Sequence, residues 1–234
     1  MDTRTRHALK KDKFAQAAAS SASWIGVHRT TFVRWAVVGA AVLILGAGAL
    51  IYWNMRSSAA DAALGAATDV YVSPLAIPGA PPQAGSYTTS EARAKEANRE
   101  FVAIAHDYSW LPAGAKARYF AGLTYEEIGQ TGNAETELKA AAGAWDRNLA
   151  NLAKLALAGL YRQENRDSEA VDLYKELAAK PSTTVSAGVA QLDLADLYAS
   201  EGKPDQARVL WAKVRDMDKD GAAGQIAAQK LTAK

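Results

Sequence analysis

The chain has 234 residues, of which 49% are hydrophobic and 22% charged, an ordinary balance for a protein with an apolar core. It has no cysteine, which excludes disulfides, thiolate metal sites, thiol nucleophiles and a lipid-modified cysteine anchor. Residues 1–34 carry seven basic against two acidic side chains, and the other 200 residues carry 20 basic against 23 acidic. No basic face with interleaved aromatic residues is present, so nucleic acid is not an expected partner.

The first predicted element is a transmembrane helix over residues 35–55. From Trp35 to Trp53 the sequence runs for nineteen residues without a charge. A helix of that length spans roughly 28 Å, close to the ~30 Å hydrocarbon core of a bilayer. Its ends are aromatic, which suits the headgroup level. A buried core helix is an alternative that does not suit a stretch apolar on all sides.

A cleavable signal peptide is the second alternative for this apolar run. The run is longer than the usual ~7–15 residues, and 34 residues precede it, which both favour an uncleaved anchor. The Ala-rich sequence SSAADAA after Arg56 would nevertheless offer a cleavage site.

Charged residues around the span predict its orientation. Seven basic residues lie in the tail of residues 1–34, whereas only Arg56 follows the span closely. By the positive-inside rule the basic tail lies in the cytoplasm and the C-terminal domain lies outside it. In a bacterium this means a single-pass inner-membrane protein with a periplasmic domain.

Two segments separate the span from the main domain. Residues 56–72 are predicted as a juxtamembrane helix that extends the membrane helix. Residues 73–90 contain four of the seven prolines and are predicted as a linker, because proline removes a backbone donor and restricts the residue before it. Residues 91–234 form the predicted repeat domain, which ends in a helix with Ile226 and Leu231 facing inward.

Three segments of the repeat domain align with one another. Tyrosine recurs after 36 and then 37 residues, slightly more than the ~34-residue period of the tetratricopeptide repeat, whose unit is a pair of helices. A small residue precedes each tyrosine by three positions, and a residue that tolerates the left-handed conformation follows it by four. An alanine then marks the point where the second helix crosses the first. The structural positions are Gly122, Tyr125, Ala134, Ala158, Tyr161, Ala170, Ala195, Tyr198, Ala207 and Trp211, and the turn residues are Gly129, Asn165 and Gly202.

These elements predict an all-α chain, with one transmembrane helix followed by a tetratricopeptide-type helical-hairpin solenoid. The first helices of stacked hairpins line the concave side of such a solenoid, so this side is the predicted partner-binding groove. Its mixed polarity suits a peptide or helical ligand, and ordinary solvated faces are the alternative. The predicted groove residues are Lys116, Tyr119, Leu123, Glu126, Glu127, Leu152, Leu155, Arg162, Gln163, Leu192 and Asp196.

The sequence contains no arrangement typical of catalysis or of a cofactor site, so neither an enzyme nor a small-molecule substrate is expected. One acidic segment, Asp216-Met-Asp218-Lys-Asp220-Gly221, matches the first half of an EF-hand calcium loop. The twelfth position should be a bidentate Glu and is Ala227 here. We interpret the segment as an acidic helix end closed by glycine, with a calcium site as the alternative, and expect no metal.

From about residue 30 onward the layout resembles the bacterial YfgM-like family: a cytoplasmic tail, one signal-anchor helix and a periplasmic tetratricopeptide-like domain ancillary to the Sec translocon. The resemblance rests on the order of elements, the helix directly after the span and the three aligned repeats. It implies protein partners, namely the translocon, chaperones or unfolded exported chains. The longer basic tail and the Pro-rich segment depart from the family pattern. A scaffold for another envelope complex, such as a pilus or a secretion or division machinery, is the alternative.

Overall fold

The computed structural model describes residues 29–77 and 85–232, and within these ranges the chain forms nine α-helices and no strand. The predicted basic tail up to residue 28 and residues 78–84 of the predicted linker lie outside the described residues. The helices are α1 Arg29–Tyr71, α2 Ser90–Asp107, α3 Pro112–Glu127, α4 Thr131–Ala142, α5 Arg147–Gln163, α6 Asp167–Ala179, α7 Ala187–Ser200, α8 Pro204–Met217 and α9 Ala222–Thr232.

The N-terminal helix α1 is the one described helix that is long and apolar enough to cross a membrane, over Val33–Tyr71. The most apolar window of this helix has no buried residue. Large side chains such as Val37, Val38 and Leu43 are exposed although they lie on different faces. A helix that is apolar all round and uncovered by protein is stable in lipid rather than in water.

A compact unit begins at Ser57, earlier than residue 91, where the sequence placed the start of the domain. The reason is that one face of the last turns of α1 is buried. Ala60, Leu64 and Ala67 recur with helical spacing and form a core cluster with residues of α2 and α3, among them Phe101. The rings of Tyr71 and Phe101 meet edge to face at 6.2 Å between their centroids.

Each helix from α2 onward packs against the next one along the chain. The turns between α3 and α4, between α5 and α6, and between α7 and α8 have the same geometry. Gly129, Asn165 and Gly202 have φ angles of 74°, 59° and 74°, the left-handed conformation that the sequence predicted for them.

A matching hydrogen bond closes each of these turns. In each one, the amide of the residue after the left-handed position donates to the carbonyl of the aligned tyrosine. The acceptors are Tyr125, Tyr161 and Tyr198, at nitrogen–oxygen distances of 2.8, 2.8 and 2.9 Å. This is the six-to-one bond of the Schellman motif, which satisfies carbonyls that the helix end would leave without a partner. The three segments that align in sequence therefore each contain a turn of the same geometry at the aligned position.

Small residues stand where helices cross. At Gly122 in α3, an added Cβ would lie 2.6 Å from Cγ of Leu138 in α4, so only glycine fits without a shift. Ala134, Ala170 and Ala207, the aligned alanines of the second helices, are all fully buried. Close approach of the helix backbones therefore depends on the absence of larger side chains at these positions.

The last helix packs differently from the prediction. In α9 the buried residues are Ala223, Gly224 and Ala227, whereas Ile226 is 41% exposed. The prediction that Ile226 faces inward is therefore wrong. The small residues approach the turn after α8 so closely that an added Cβ on Gly224 would lie 1.9 Å from the Asp218 carbonyl oxygen. This contact fixes the rotation of α9 and turns Ile226 outward.

Candidate partner-binding groove

An open apolar groove of about 560 Å³ lies between α6, α7 and α8. Each helix contributes one stripe of residues at the three- and four-residue spacing of a single helix face. The floor is formed by Leu194 and Tyr198 of α7, and Val209 on one wall is 69% exposed. The complete lining is Lys175, Ala178, Ala179, Gln191, Leu194, Tyr198, Gln206, Val209, Leu210 and Lys213.

The polar groups of this groove are suited to contact with a ligand. Lys175 on α6 and Lys213 on α8 stand on the two walls, and neither forms an ion pair or hydrogen bond with the residues that the structure describes. Gln191 is only 7% exposed, and its Oε1 has no hydrogen-bond partner among the described residues. A buried polar atom without a partner costs free energy, which a ligand that donates a hydrogen bond would recover.

The apolar residues of the predicted concave groove are occupied by the protein itself. Tyr119, Leu152 and Leu155 pack against the central core, and burial raises the pKa of Tyr119. Leu192 is only 8% exposed and belongs to a small core with Val214 and residues of α9. The prediction that Leu192 lines an open groove is therefore wrong, because α8 and α9 cover it. Leu123 is partly buried.

Most polar residues of the predicted groove also have partners within the chain. Glu126 accepts a hydrogen bond from Nε2 of Gln163 at 2.5 Å, which joins α3 to α5. Asp196 accepts from Nε1 of Trp211 at 3.0 Å and from Nζ of Lys230 at 2.9 Å, so this carboxylate ties α7 to both α8 and α9.

The two cations and the remaining acid of the predicted groove are divided among different places. Glu127 pairs with Arg93 of α2 at 3.8 Å. Lys116 is exposed at the other end of α3. Arg162 lies with Gln163 in a separate polar cavity of about 550 Å³ at the junction of α5, α6 and α7. The structure thus brings Glu126, Gln163 and Arg162 to one region and leaves Lys116 apart.

Arg162 has an electrostatic role that the sequence did not indicate. Burial raises the pKa of Asp193 in α7, and the positive charge of Arg162 partly offsets this effect. Burial also raises the pKa of Tyr174, and a hydrogen bond with Arg162 partly offsets this rise. The charge of Arg162 thus partly compensates a half-buried carboxylate, which makes Arg162 a weaker candidate for a ligand contact.

A second polar network joins α4 to the turn between α5 and α6. The Glu135 carboxylate accepts from Nη1 and Nη2 of Arg166 at 2.9 and 3.1 Å and from the Tyr161 hydroxyl at 3.0 Å. Nζ of Lys139 lies 2.6 Å from the same carboxylate. Hydrogen bonds from Arg166 and Lys139 lower the pKa of Glu135 to about 2. This network fixes the second turn, so its function is structural.

The acidic segment at the end of α8 takes part in ion pairing and helix packing. Asp216 pairs with Arg215 at 2.9 Å, and Oδ2 of Asp218 accepts from the Gly224 amide at 3.3 Å, in the first turn of α9. Among the described residues, no group of three or more histidine, aspartate or glutamate side chains is placed to hold a metal ion.

Comparison of the chain with protein-family models, with curated proteins and with solved structures finds no match. The candidate site therefore rests on the geometry of this chain alone. The groove was not predicted from the sequence, because the predicted binding surface included only the first helices of the hairpins. The available signal was the pair Val209–Leu210, two apolar residues on a helix whose other apolar positions already account for its buried face.

Proposed function

We propose that this chain is a membrane-anchored scaffold that binds a protein partner through a tetratricopeptide-type helical array. The observation that carries the proposal is the groove between α6, α7 and α8, because an apolar, exposed channel between rigid helices suits the apolar face of an amphipathic helix. Its walls carry unpaired lysines, so the partner that fits best is a helix with acidic residues flanking its apolar face.

Three features support the repeat type of the array. The aligned tyrosines, the left-handed turn residues and the buried alanines recur with one spacing. The helices follow one another as packed neighbours, as expected for a solenoid in which each repeat contacts only the next.

We further propose that α1 anchors the chain in a bacterial inner membrane with the array on the periplasmic side. The charge asymmetry of residues 1–34 supports this orientation. A role beside the Sec translocon, in passing exported chains to chaperones, is the most specific form of the proposal and rests on the resemblance to the YfgM-like family.

Replacing Val209 with aspartate tests the groove. Val209 is 69% exposed, so Val209→Asp should leave helical circular dichroism unchanged, while it places a charge in the apolar channel and repels an acidic partner. Capture of the partner by a photo-crosslinker at Gln206 of the intact chain should fall at least about tenfold, the effect of ~1.4 kcal/mol. Met217→Asp, at an exposed apolar position outside the groove, is the matched control. Equal capture by Val209→Asp and Met217→Asp would show that the groove is not the binding site.

A further inference from the structure

Trp145 is the most exposed of the large hydrophobic side chains that the structure describes, at 90%. It lies in the turn between α4 and α5. Tryptophan has the largest apolar side chain and is highly buried on average, so full exposure on a folded domain is unusual. Tryptophan is also among the residues that most often anchor a protein on another surface.

The turn holds Trp145 in this position through its neighbours. Asp146 is the N-cap of α5, and its Oδ1 accepts from the Asn148 amide at 2.9 Å. The capped helix therefore begins immediately after the tryptophan and leaves the turn little freedom. Trp145 lines two hollows of about 310 and 270 Å³, one on the side of α3 and one on the side of α6.

Basic residues surround the tryptophan. Lys116 and Arg147 line the first hollow, and Lys180 lines the second. None of these three forms an ion pair or hydrogen bond through its side chain with any residue that the structure describes. Lys154 in the second hollow pairs with Glu176 at 2.8 Å. Asp146, which lines the first hollow, is used as a helix cap. The unpaired charge around Trp145 is therefore mainly positive.

Trp145 lies at the same end of the compact unit as Ser57, the first residue of that unit. Arg93, near the start of α2, donates to the Ser73 carbonyl at 3.1 Å and pairs with Glu127 at 3.8 Å. The last residues of α1, the first turn of α2 and the end of α3 therefore share one end of the unit. Ser57 lies roughly 20 Å along α1 from that end, by the helix rise, so it lies with the turn from α2 to α3.

The turn from α2 to α3 and the turn from α4 to α5 lie side by side. Pro112 and Lys116, in the first turns of α3, line the same hollow as Trp145. Trp110, between α2 and α3, is 49% exposed. We call this surface, formed by Trp110, Lys116, Trp145, Arg147 and Lys180, the tryptophan end. Ser57, the first residue of the compact unit, lies at this same end.

We propose that the tryptophan end docks on the surface of a bilayer that contains anionic phospholipids. Tryptophan favours the headgroup level of a membrane, and lysine and arginine near the surface are attracted by anionic headgroups. The inference rests on the membrane anchor of the proposed function and not on the groove. Docking of this end limits the orientations that the array adopts relative to the membrane.

The test uses the full chain reconstituted in vesicles of phosphatidylcholine alone or of phosphatidylcholine with phosphatidylglycerol. The natural chain has no cysteine, so Ser109→Cys places one polarity-sensitive fluorophore beside the tryptophan end. Gly132→Cys is the matched control, because Gly132 is exposed, has open space around it and lies at the opposite end of the unit. Aqueous iodide quenching measures how far each label is shielded.

The label at residue 109 should be shielded when phosphatidylglycerol is present, and the label at residue 132 should not. Lys116→Gln and Arg147→Gln should each lower the ratio of docked to free domain about fivefold at low ionic strength. Trp145→Ser should abolish the shielding, whereas Lys213→Gln in the groove should leave it unchanged.

Shielding that is equal in both vesicle types, or that persists in Trp145→Ser, would overturn the proposal. Shielding that appears only when a protein partner is added would assign the tryptophan end to that partner instead. Carbonate extraction of the vesicles separates these failures from failure of the anchor: a chain that is extracted is not inserted, and then both the anchor and the docking are wrong.

Discussion

Gly122→Ala provides the sharpest test of the packing between α3 and α4. The added Cβ would lie 2.6 Å from Cγ and 2.7 Å from Cδ2 of Leu138, and 3.3 Å from its backbone nitrogen. Leu138 is fully buried. Overpacking of this kind costs about 1–3 kcal/mol. Alanine recovers about 1 kcal/mol through its better helix propensity, so we expect a net loss of stability of about 1 kcal/mol.

Gly159→Ala is the matched control for this change. Gly159 lies within α5, and a Cβ there would meet nothing within 4 Å. This variant should gain about 1 kcal/mol, because only the propensity effect remains. The two glycine variants should therefore differ by about 2 kcal/mol, which corresponds to about 4–8 °C in Tm for a domain of this size.

Thermal unfolding of the intact chain in mild detergent, followed by helical circular dichroism, measures the difference. In the double variant Gly122→Ala/Leu138→Ala, the smaller side chain at residue 138 removes the clash. The loss in free energy of unfolding should therefore be smaller than the sum of the losses in the two single variants. If Gly122→Ala raised Tm as much as Gly159→Ala does, the close approach of α3 and α4 would be incorrect.

Three further predictions concern the described unit. Hydrogen bonds lower the pKa of Glu135 from 4.5 to about 2. Its contribution to the free energy of unfolding is therefore complete above pH ~4.5 and is lost as the pH falls toward 2. Glu135→Gln should make the free energy of unfolding less dependent on pH in this range. Asn165→Ala should cost about 1 kcal/mol and Asn165→Gly almost nothing, since φ is 59° there, which urea titration would detect. Ala170→Leu should lower the free energy of unfolding by about 1–3 kcal/mol, because Ala170 is fully buried. An unchanged Tm would contradict the placement of Ala170 where two helices cross.

The repeated turns could be predicted because their constraint is local. Gly129, Asn165 and Gly202 tolerate a positive φ, and a few neighbouring residues suffice to recognise the end of a helix. Residues 57–71 were assigned outside the domain for the opposite reason. Alanine gives little hydrophobic periodicity, so the buried face made by Ala60, Leu64 and Ala67 was not distinguished from the exposed one.

The candidate site depended on contacts that no short segment specifies. A helical pattern indicates that Leu192 lies on an apolar face, but not that α8 and α9 cover it. It indicates equally little about Val209, which lines a groove that forms only where α6, α7 and α8 pack together. Periodicity predicts which residues of a helix share a face, whereas the identity of the covering helix follows only from tertiary packing.

The buried face of residues 57–71 has a consequence for how the protein is made. The ribosome completes this segment before any residue of α2 or α3. Its apolar face therefore stays exposed until about fifty more residues, up to the end of α3, have been synthesised. Ala60, within the Ala-rich stretch that would suit a processing peptidase, becomes fully buried once the core closes. A peptidase that acted at this stretch would therefore reach Ala60 only before the core closes.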